Sequence, residues 1–392
     1  MTYEKILRIG IDTLPVVRNE SGGGERCVDN LLKNLSQIDR KNEYYVFCHP
    51  SYSEFVKSLG KNFFLVEMNK FNSRTAYRII GQQVIIPWIA RKNKLHLVHS
   101  MGNLSPFYSP CPLVVSILCM VNFTQPQLFT PYCRRVYFNY AMTKSVQKAK
   151  KVICISEYEK KQIGKYTNSP SDKIKVVYCG VDEQFKVSSS TAETPSKIAQ
   201  LGIKKPYILS ASAFRRLKNI ETMIKVFHVL REKYNVPHQF VLTGPIIDYE
   251  YFAEVKNIIK ELNEEDNVLI LGNVPKEILY ILYSSADLLL FLSFAEAFGI
   301  PLIEAMASGV PVVTSNSEAL PEIAGEAGLV VNSASVEEAV SACYRVISDK
   351  QLRSEMIKKG LERAKIFSWE KAARNLLSIY QEVGNNNQGI NF

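Results

Sequence analysis

The sequence predicts an α/β chain built from two doubly wound parallel sheets, and three observations lead there. Apolar runs of strand length alternate with segments of helical periodicity along most of the 392 residues, the pattern of repeated β-α-β units. The alternation breaks once, at the Ser-, Thr- and Pro-containing stretch 187–197, and then restarts. The length exceeds one ordinary core and suits two domains of roughly 100–200 residues each.

Taken in order, ILRIGID (6–12) reads as a strand, Gly22–Gly24 as a glycine turn and ERCVDNLLKNLSQI (25–38) as an amphipathic helix. Further strand-like runs are YYVFCH, FFLVEM, LHLVHS, PLVVSIL, KVICIS and IKVVYCG, with helical segments between them. After the break the strands are YILSASA, QFVLTG, NVLILGNV, ADLLLFLS, VPVVTSN and GLVVN. Helices are expected from Asn219 to Tyr234, from Tyr249 to Leu262 and over PLIEAMASG. The predicted organisation is a first domain over 1–186, a linker over 187–197, a second domain over 198–375 and a tail over 376–392. The amphipathic run SWEKAARNLLSIYQEV suits packing on either domain, and NNNQGINF is expected to be disordered. The active site is expected between the domains, where the carboxyl ends of two open sheets face each other.

With 46% hydrophobic and 22% charged residues and a mean hydropathy of −0.05, the composition is that of a globular protein. No segment offers the ~20 apolar residues of a spanning helix, and the N-terminus lacks a long apolar run before a small-residue cleavage site. A cytoplasmic protein is expected. The eight cysteines contain no C-x-x-C pair and read as buried thiols, with neither disulfide nor zinc expected. The net charge of +10 is uneven: residues 1–185 carry 26 Lys and Arg against 14 Asp and Glu, the remainder 22 against 24. A basic N-terminal half suits an anionic partner.

The segment Phe294–Gly309, FAEAFGIPLIEAMASG, carries the clearest chemistry. Glu296 falls in the loop after a strand, Pro301 suits the first helical position, and Glu304 is then expected in the first turn with both carboxylates facing the cleft. Backbone N–H groups around Phe298, Gly299 and Ile300 would form an anion site at the helix N-terminus, suited to a pyrophosphate. A carboxylate beside it can accept hydrogen bonds from vicinal hydroxyls. This run, E-x7-E with an internal Phe-Gly and the following Ala-x-Gly-x-Pro, closely resembles the signature of glycosyltransferase family 4, retaining enzymes of the GT-B type. The glycine run 22–24, SASAFRRLKN, LGNVP, AKKVICISEYEKKQI and VVYCGVDEQF resemble other family segments in the same order, so the resemblance covers about residues 1–375.

The resemblance implies a GT-B fold, two doubly wound Rossmann-like domains facing each other across a cleft, with a nucleotide-diphosphate sugar as donor substrate and neither cofactor nor metal. It implies that Lys218 and one of Arg215 or Arg216 clamp the pyrophosphate, Arg215 being favoured. Gly23 and Gly24 would let backbone approach the phosphate, and Gly272 and Val274 would lie at the nucleobase. Glu304 would hold the ribose and Glu296 the transferred sugar. No D-x-D occurs, which removes the metal-binding device of the other main glycosyltransferase architecture.

The pattern departs from the family after PLVVSIL, where members often carry a His-Asp or His-Asn pair that reaches the donor sugar. Here Leu118 and Cys119 stand in its place, with Asn122 or His99 as substitutes. The basic run from Arg134 through Lys151 mixes lysines with aromatics at helical spacing, which suits contact with an anionic membrane. No recognition motif for nucleic acid accompanies the charge. The expected function is transfer of a hexose, with mannose the first candidate, to a glycan or lipid-linked glycan in surface polysaccharide biosynthesis. The alternatives are a silent GT-B paralogue that binds nucleotide or glycan, and another GT-B enzyme such as an epimerase or sugar-phosphate synthase.

Overall fold

The computed structural model describes residues 6–16, 23–68, 78–126, 132–187 and 193–385, without the side chains of 132–134 and 193–195. Gly22, residues 188–192 of the expected linker and the NNQGINF end of the tail lie outside them. The chain divides into two compact units, Met1–Gly180 with Ser368–Phe392, and Val181–Phe367.

The first unit holds strands β1 (Arg8–Asp12), β2 (Glu43–Cys48), β3 (Phe63–Glu67), β4 (Leu97–Ser100), β5 (Leu113–Ile117), β6 (Lys151–Cys154) and β7 (Ile174–Val176). They pair in parallel in the order β3-β2-β1-β4-β5-β6-β7. The second holds β8 (Tyr207–Ala211), β9 (Gln239–Thr243), β10 (Val268–Gly272), β11 (Leu288–Phe291), β12 (Val312–Ser315) and β13 (Gly328–Val331), all parallel in the order β10-β9-β8-β11-β12-β13. Runs such as Leu113–Ile117 and Leu288–Phe291 are buried along their whole length. A strand covered on both faces needs apolar side chains on both, which is why these read as continuous rather than alternating runs. Strand order reverses at β1/β4 and at β8/β11, the places where open parallel sheets hold ligands beyond their carboxyl ends.

Two boundaries differ from the expected ones. The helix Glu193–Gln200 begins inside the 187–197 stretch, and the units part at Gly180/Val181. The second domain, expected to run to 375, ends at Phe367, because the helix Trp369–Asn385 belongs to the first unit. Its apolar face, including Ala373, Leu376 and Tyr380, packs on the helix Gly23–Ile38 and β4. The crossing is close: a Cβ on Gly180 would stand 2.2 Å from the Trp369 nitrogen. A buried polar chain completes the joint. His99 Nδ1 lies 2.7 Å from the Tyr380 hydroxyl and its Nε2 lies 2.8 Å from Ser116 Oγ. Burial pushes the His99 pKa down to about 3, so the ring is neutral and its two nitrogens are satisfied by hydroxyls.

Six of the cysteines, Cys27, Cys48, Cys111, Cys154, Cys179 and Cys343, are buried free thiols, while Cys119 is half-buried.

Candidate functional site

The candidate residues of the second unit gather along one edge of its sheet, at the carboxyl ends of β10, β9, β8 and β11. The edge is knit by backbone. Ser212 N–H donates to the Thr243 carbonyl at 2.8 Å, and Gly244 N–H to the Gly272 carbonyl at 2.8 Å. Gly244 has φ +144°, and a Cβ there would lie 2.1 Å from the Ser212 oxygen, so only glycine fits. Gly272 ends β10 with φ +65° and open space around it, and Val274 follows half-buried.

Past β8 the chain is held at two points. Phe214 is buried in the core, edge-on to Phe252, and its N–H donates to the Pro245 carbonyl at 2.9 Å. Asn219 is buried with φ +53°, and its side-chain amide donates to the Leu292 carbonyl at 3.0 Å and the Ser333 carbonyl at 2.7 Å. Between these anchors a 3-10 turn over Arg216–Lys218 presents the basic side chains. They are not equivalent. Arg216 makes a forked pair with Glu254, Nη1 to Oε2 at 2.7 Å, and its guanidinium sits 5.5 Å from the Tyr251 ring centre. Arg215 is exposed, and its guanidinium has no hydrogen bond or ion pair among the described residues. The side chain left to meet an anion is Arg215.

Lys218 Nζ pairs with Glu296 Oε1, both side chains about four-fifths buried, with the Nζ 5.8 Å from the Phe291 ring centre. The two residues are 78 positions apart and follow β8 and β11, so the pair stands at the reversal of strand order. Backbone fixes their meeting: Phe294 N–H and Ser293 Oγ both donate to the Leu217 carbonyl at 2.8 Å. The loop then turns into the helix Ile300–Ala307 through Gly299, φ +99°, where a Cβ would stand 2.6 Å from Leu320 Cδ2. Phe298 is buried edge-on to Phe367. No side chain caps this helix N-terminus, which leaves its first backbone donors to solvent or a ligand.

Glu304 differs from expectation. The helix starts at Ile300 with Pro301 second, which puts Glu304 in the second turn, and the residue is buried rather than displayed.

In the first unit Gly23 and Gly24 open the helix Gly23–Ile38 beyond β1. A Cβ on Gly23 would meet nothing within 4 Å, whereas one on Gly24 would stand 3.7 Å from Leu118 Cδ1. The glycine turn and the departure from the family pattern therefore share one wall. Leu118 N–H is held at 2.8 Å by Asn103 Oδ1. His99 cannot stand in for the missing histidine, because it is sealed between Ser116 and Tyr380; Asn122 is half-buried nearby in sequence.

Sequence reasoning passed over Asn219, Gly244 and Ser293, which shape the edge without touching its exposed side, and Asp12. Asp12 ends β1, fully buried, with Oδ2 accepting from Gln82 Nε2 at 2.7 Å, and burial raises its pKa. A strand ending in Asp at a reversal point was the available signal. Among the described residues no three His, Cys, Asp or Glu side chains converge as a metal site. A groove of about 430 Å³ bordered by Val330, Glu338 and Arg345 contains none of the candidate residues.

Residues 193–363 match the family described as "Glycosyl transferases group 1" and residues 21–185 match "Glycosyltransferase Family 4". The chain is 27% identical to the O-antigen chain mannosyltransferase B of Escherichia coli over 75% of its own length and 76% of that protein's. It is also 27% identical to the O-antigen chain mannosyltransferase RfbU of Salmonella typhimurium, over 77% and 79% respectively. Among solved structures, a glycosyltransferase of Rickettsia africae superposes with a TM-score of 0.77 at 21% identity, covering 98% of this chain and 100% of that one. Anabaena HepE, solved with UDP and glucose, superposes with a TM-score of 0.75 at 17% identity, covering 96% and 100%. At such identities the structural likeness is one of fold.

Proposed function

We propose, since this chain belongs to glycosyltransferase family 4 and has the GT-B fold, that it moves a hexose from a nucleoside-diphosphate sugar to a glycan or lipid-linked glycan. The observation that carries the reading is the meeting of Lys218 and Glu296, beside the unpaired Arg215 and an uncapped helix N-terminus, at the β8/β11 reversal. As the glycosidic bond to the diphosphate breaks, negative charge grows on the leaving oxygens and positive charge on the sugar carbon. Arg215 and Lys218 stabilise the first and Glu296 the second. The helix N–H groups at Phe298 to Ile300 add a fixed positive pole. Gly272 and Val274 offer backbone to the base, where a glycine leaves room for close approach. Gly23 and Gly24 give the same access to phosphate.

The reaction retains anomeric configuration: the acceptor oxygen attacks from the face the diphosphate leaves, and the leaving phosphate takes its proton. With cationic side chains serving the diphosphate, the step needs no divalent metal. The O-antigen mannosyltransferases among the relatives support mannose as the hexose and a surface polysaccharide as the product; we further propose that the transfer takes place at the inner face of the cell membrane.

Leu118 favours one second reading, a chain that binds nucleotide sugar without transferring it. Release of diphosphate on addition of acceptor, against binding alone, separates the two.

The roles of the two arginines provide a test. Arg215→Ala is expected to weaken binding of GDP-mannose or UDP-glucose by about tenfold or more, the loss of one charge-assisted hydrogen-bonding group, while Arg216→Ala changes it less than threefold. Equal effects in titration calorimetry, or the reverse order, would remove Arg215 from the diphosphate.

A further inference from the structure

Between Glu67 and Glu157 the sequence contains twelve Lys and Arg and not one Asp or Glu. That run accounts for the basic excess of the N-terminal half, and its folded surface is unusual in a second way. On the helix through Gly81–Lys92, Val84 is 60% and Trp88 61% exposed, with Lys92 Nζ 5.2 Å from the Trp88 ring centre. On the helix Tyr132–Lys148, Tyr137 is 49% and Tyr140 57% exposed, with Lys144 Nζ 5.6 Å from the Tyr140 ring centre. The segment between them presents Tyr108, 65% exposed.

These three elements form one surface. Phe107 N–H donates to Gln83 Oε1 at 2.8 Å on one side. Ser105 N–H donates to Ser145 Oγ at 2.9 Å on the other, and Lys148 Nζ reaches the Phe107 carbonyl. Ile86 and Ala90 of the first helix share a core with Met142 and Val146 of the second, so both lie on the same side of the sheet and turn their opposite faces outward. The spacings 84, 88, 92 and 137, 140, 144, 148 each trace one helical stripe.

We infer that this surface, Val84, Trp88, Tyr108, Tyr137 and Tyr140 ringed by Lys92, Lys144 and Lys148, is where the protein seats on an anionic phospholipid bilayer. Exposed aromatic rings whose neighbours are lysines match the water–hydrocarbon boundary, where rings enter the headgroup layer and ammonium groups reach the phosphates. The unbroken positive charge supplies the attraction to anionic lipid. A soluble polyanion would pair with the lysines but gives no reason to expose Val84 and Trp88 together. No described helix is long and apolar enough to cross a membrane, which makes this contact a surface one. The inference does not rest on the donor site; it concerns where a lipid-linked acceptor would be met.

Two tryptophans allow a direct test, because Trp369 is only 5% exposed and Trp88 therefore dominates any change in emission. Full-length protein is mixed at low salt with phosphatidylcholine vesicles, with phosphatidylcholine–phosphatidylglycerol vesicles, and with dextran sulfate. Cosedimentation with the anionic vesicles alone, with a blue shift of Trp emission that Trp88→Phe abolishes, is expected. Trp88→Ala combined with Tyr140→Ala should lower partitioning by about tenfold, and circular dichroism checks that the variants fold. No sedimentation, sedimentation without a blue shift, or the same shift with dextran sulfate would each overturn the inference. GDP-mannose titration of the same preparation reports separately on the donor site.

Discussion

Lys218→Ala is expected to lower kcat for diphosphate release by about 10² to 10³-fold, the usual consequence of removing one group that stabilises developing charge. Lys218 is tied to the sheet edge by the Leu217 carbonyl contacts and paired with Glu296, so its ammonium is held in place before substrate arrives. Glu296→Gln keeps the shape and removes the charge. It should also lower kcat, with a smaller change in KM, since the charge on the sugar that Glu296 is proposed to stabilise develops only as the sugar bond breaks. Both variants need a thermal-unfolding control. The pair is mostly buried, and removing one partner leaves the other with a desolvated charge. Loss of folding without a kcat effect at permissive temperature would make the pair structural. Parallel rises in KM with kcat intact would assign it to ground-state binding.

Gly244→Ala should be the most damaging single methyl in the second unit. Its φ of +144° is strained for any side chain, and the new Cβ would stand 2.1 Å from a backbone oxygen that cannot move without shifting the strand edge. Strain and overpacking together should cost about 3 kcal/mol or more. Gly202→Ala is the matched control: its φ is +77°, and a Cβ there would meet nothing within 4 Å, so it should lose only the conformational part, about 1 kcal/mol. Urea unfolding of the pair separates the two contributions. Equal losses would mean that the contact with Ser212 relaxes at no cost, and that the edge carrying Arg215 is not rigid.

The strands were legible because parallel, doubly covered strands must be continuous apolar runs, and each expected run has its counterpart among β1 to β13. Lys218 and Glu296 were legible through the family motif, but not their contact, which depends on Leu217 meeting Ser293 and Phe294 across the sheet. The choice between Arg215 and Arg216 was open in the sequence, since the residue that occupies Arg216 is Glu254, 38 positions away on the helix Tyr249–Glu261. Amphipathicity showed that the last helix must pack, not on which unit; the decisive partner of Tyr380 is His99, 281 positions earlier. That same burial removed His99 as a substitute for the missing family histidine. Glu304 falls one position deeper than expected because the helix begins at Ile300, straight after Gly299 with its positive φ, and not at Pro301.

The central claim is that the edge of the second sheet is a donor site for a nucleoside-diphosphate sugar. Titration calorimetry of the full chain with UDP, GDP, ADP and dTDP, each with and without EDTA, tests it most directly. Saturable binding of one diphosphate, unchanged by EDTA, is the predicted result, and it would name the base; absence of binding by all four would contradict the claim.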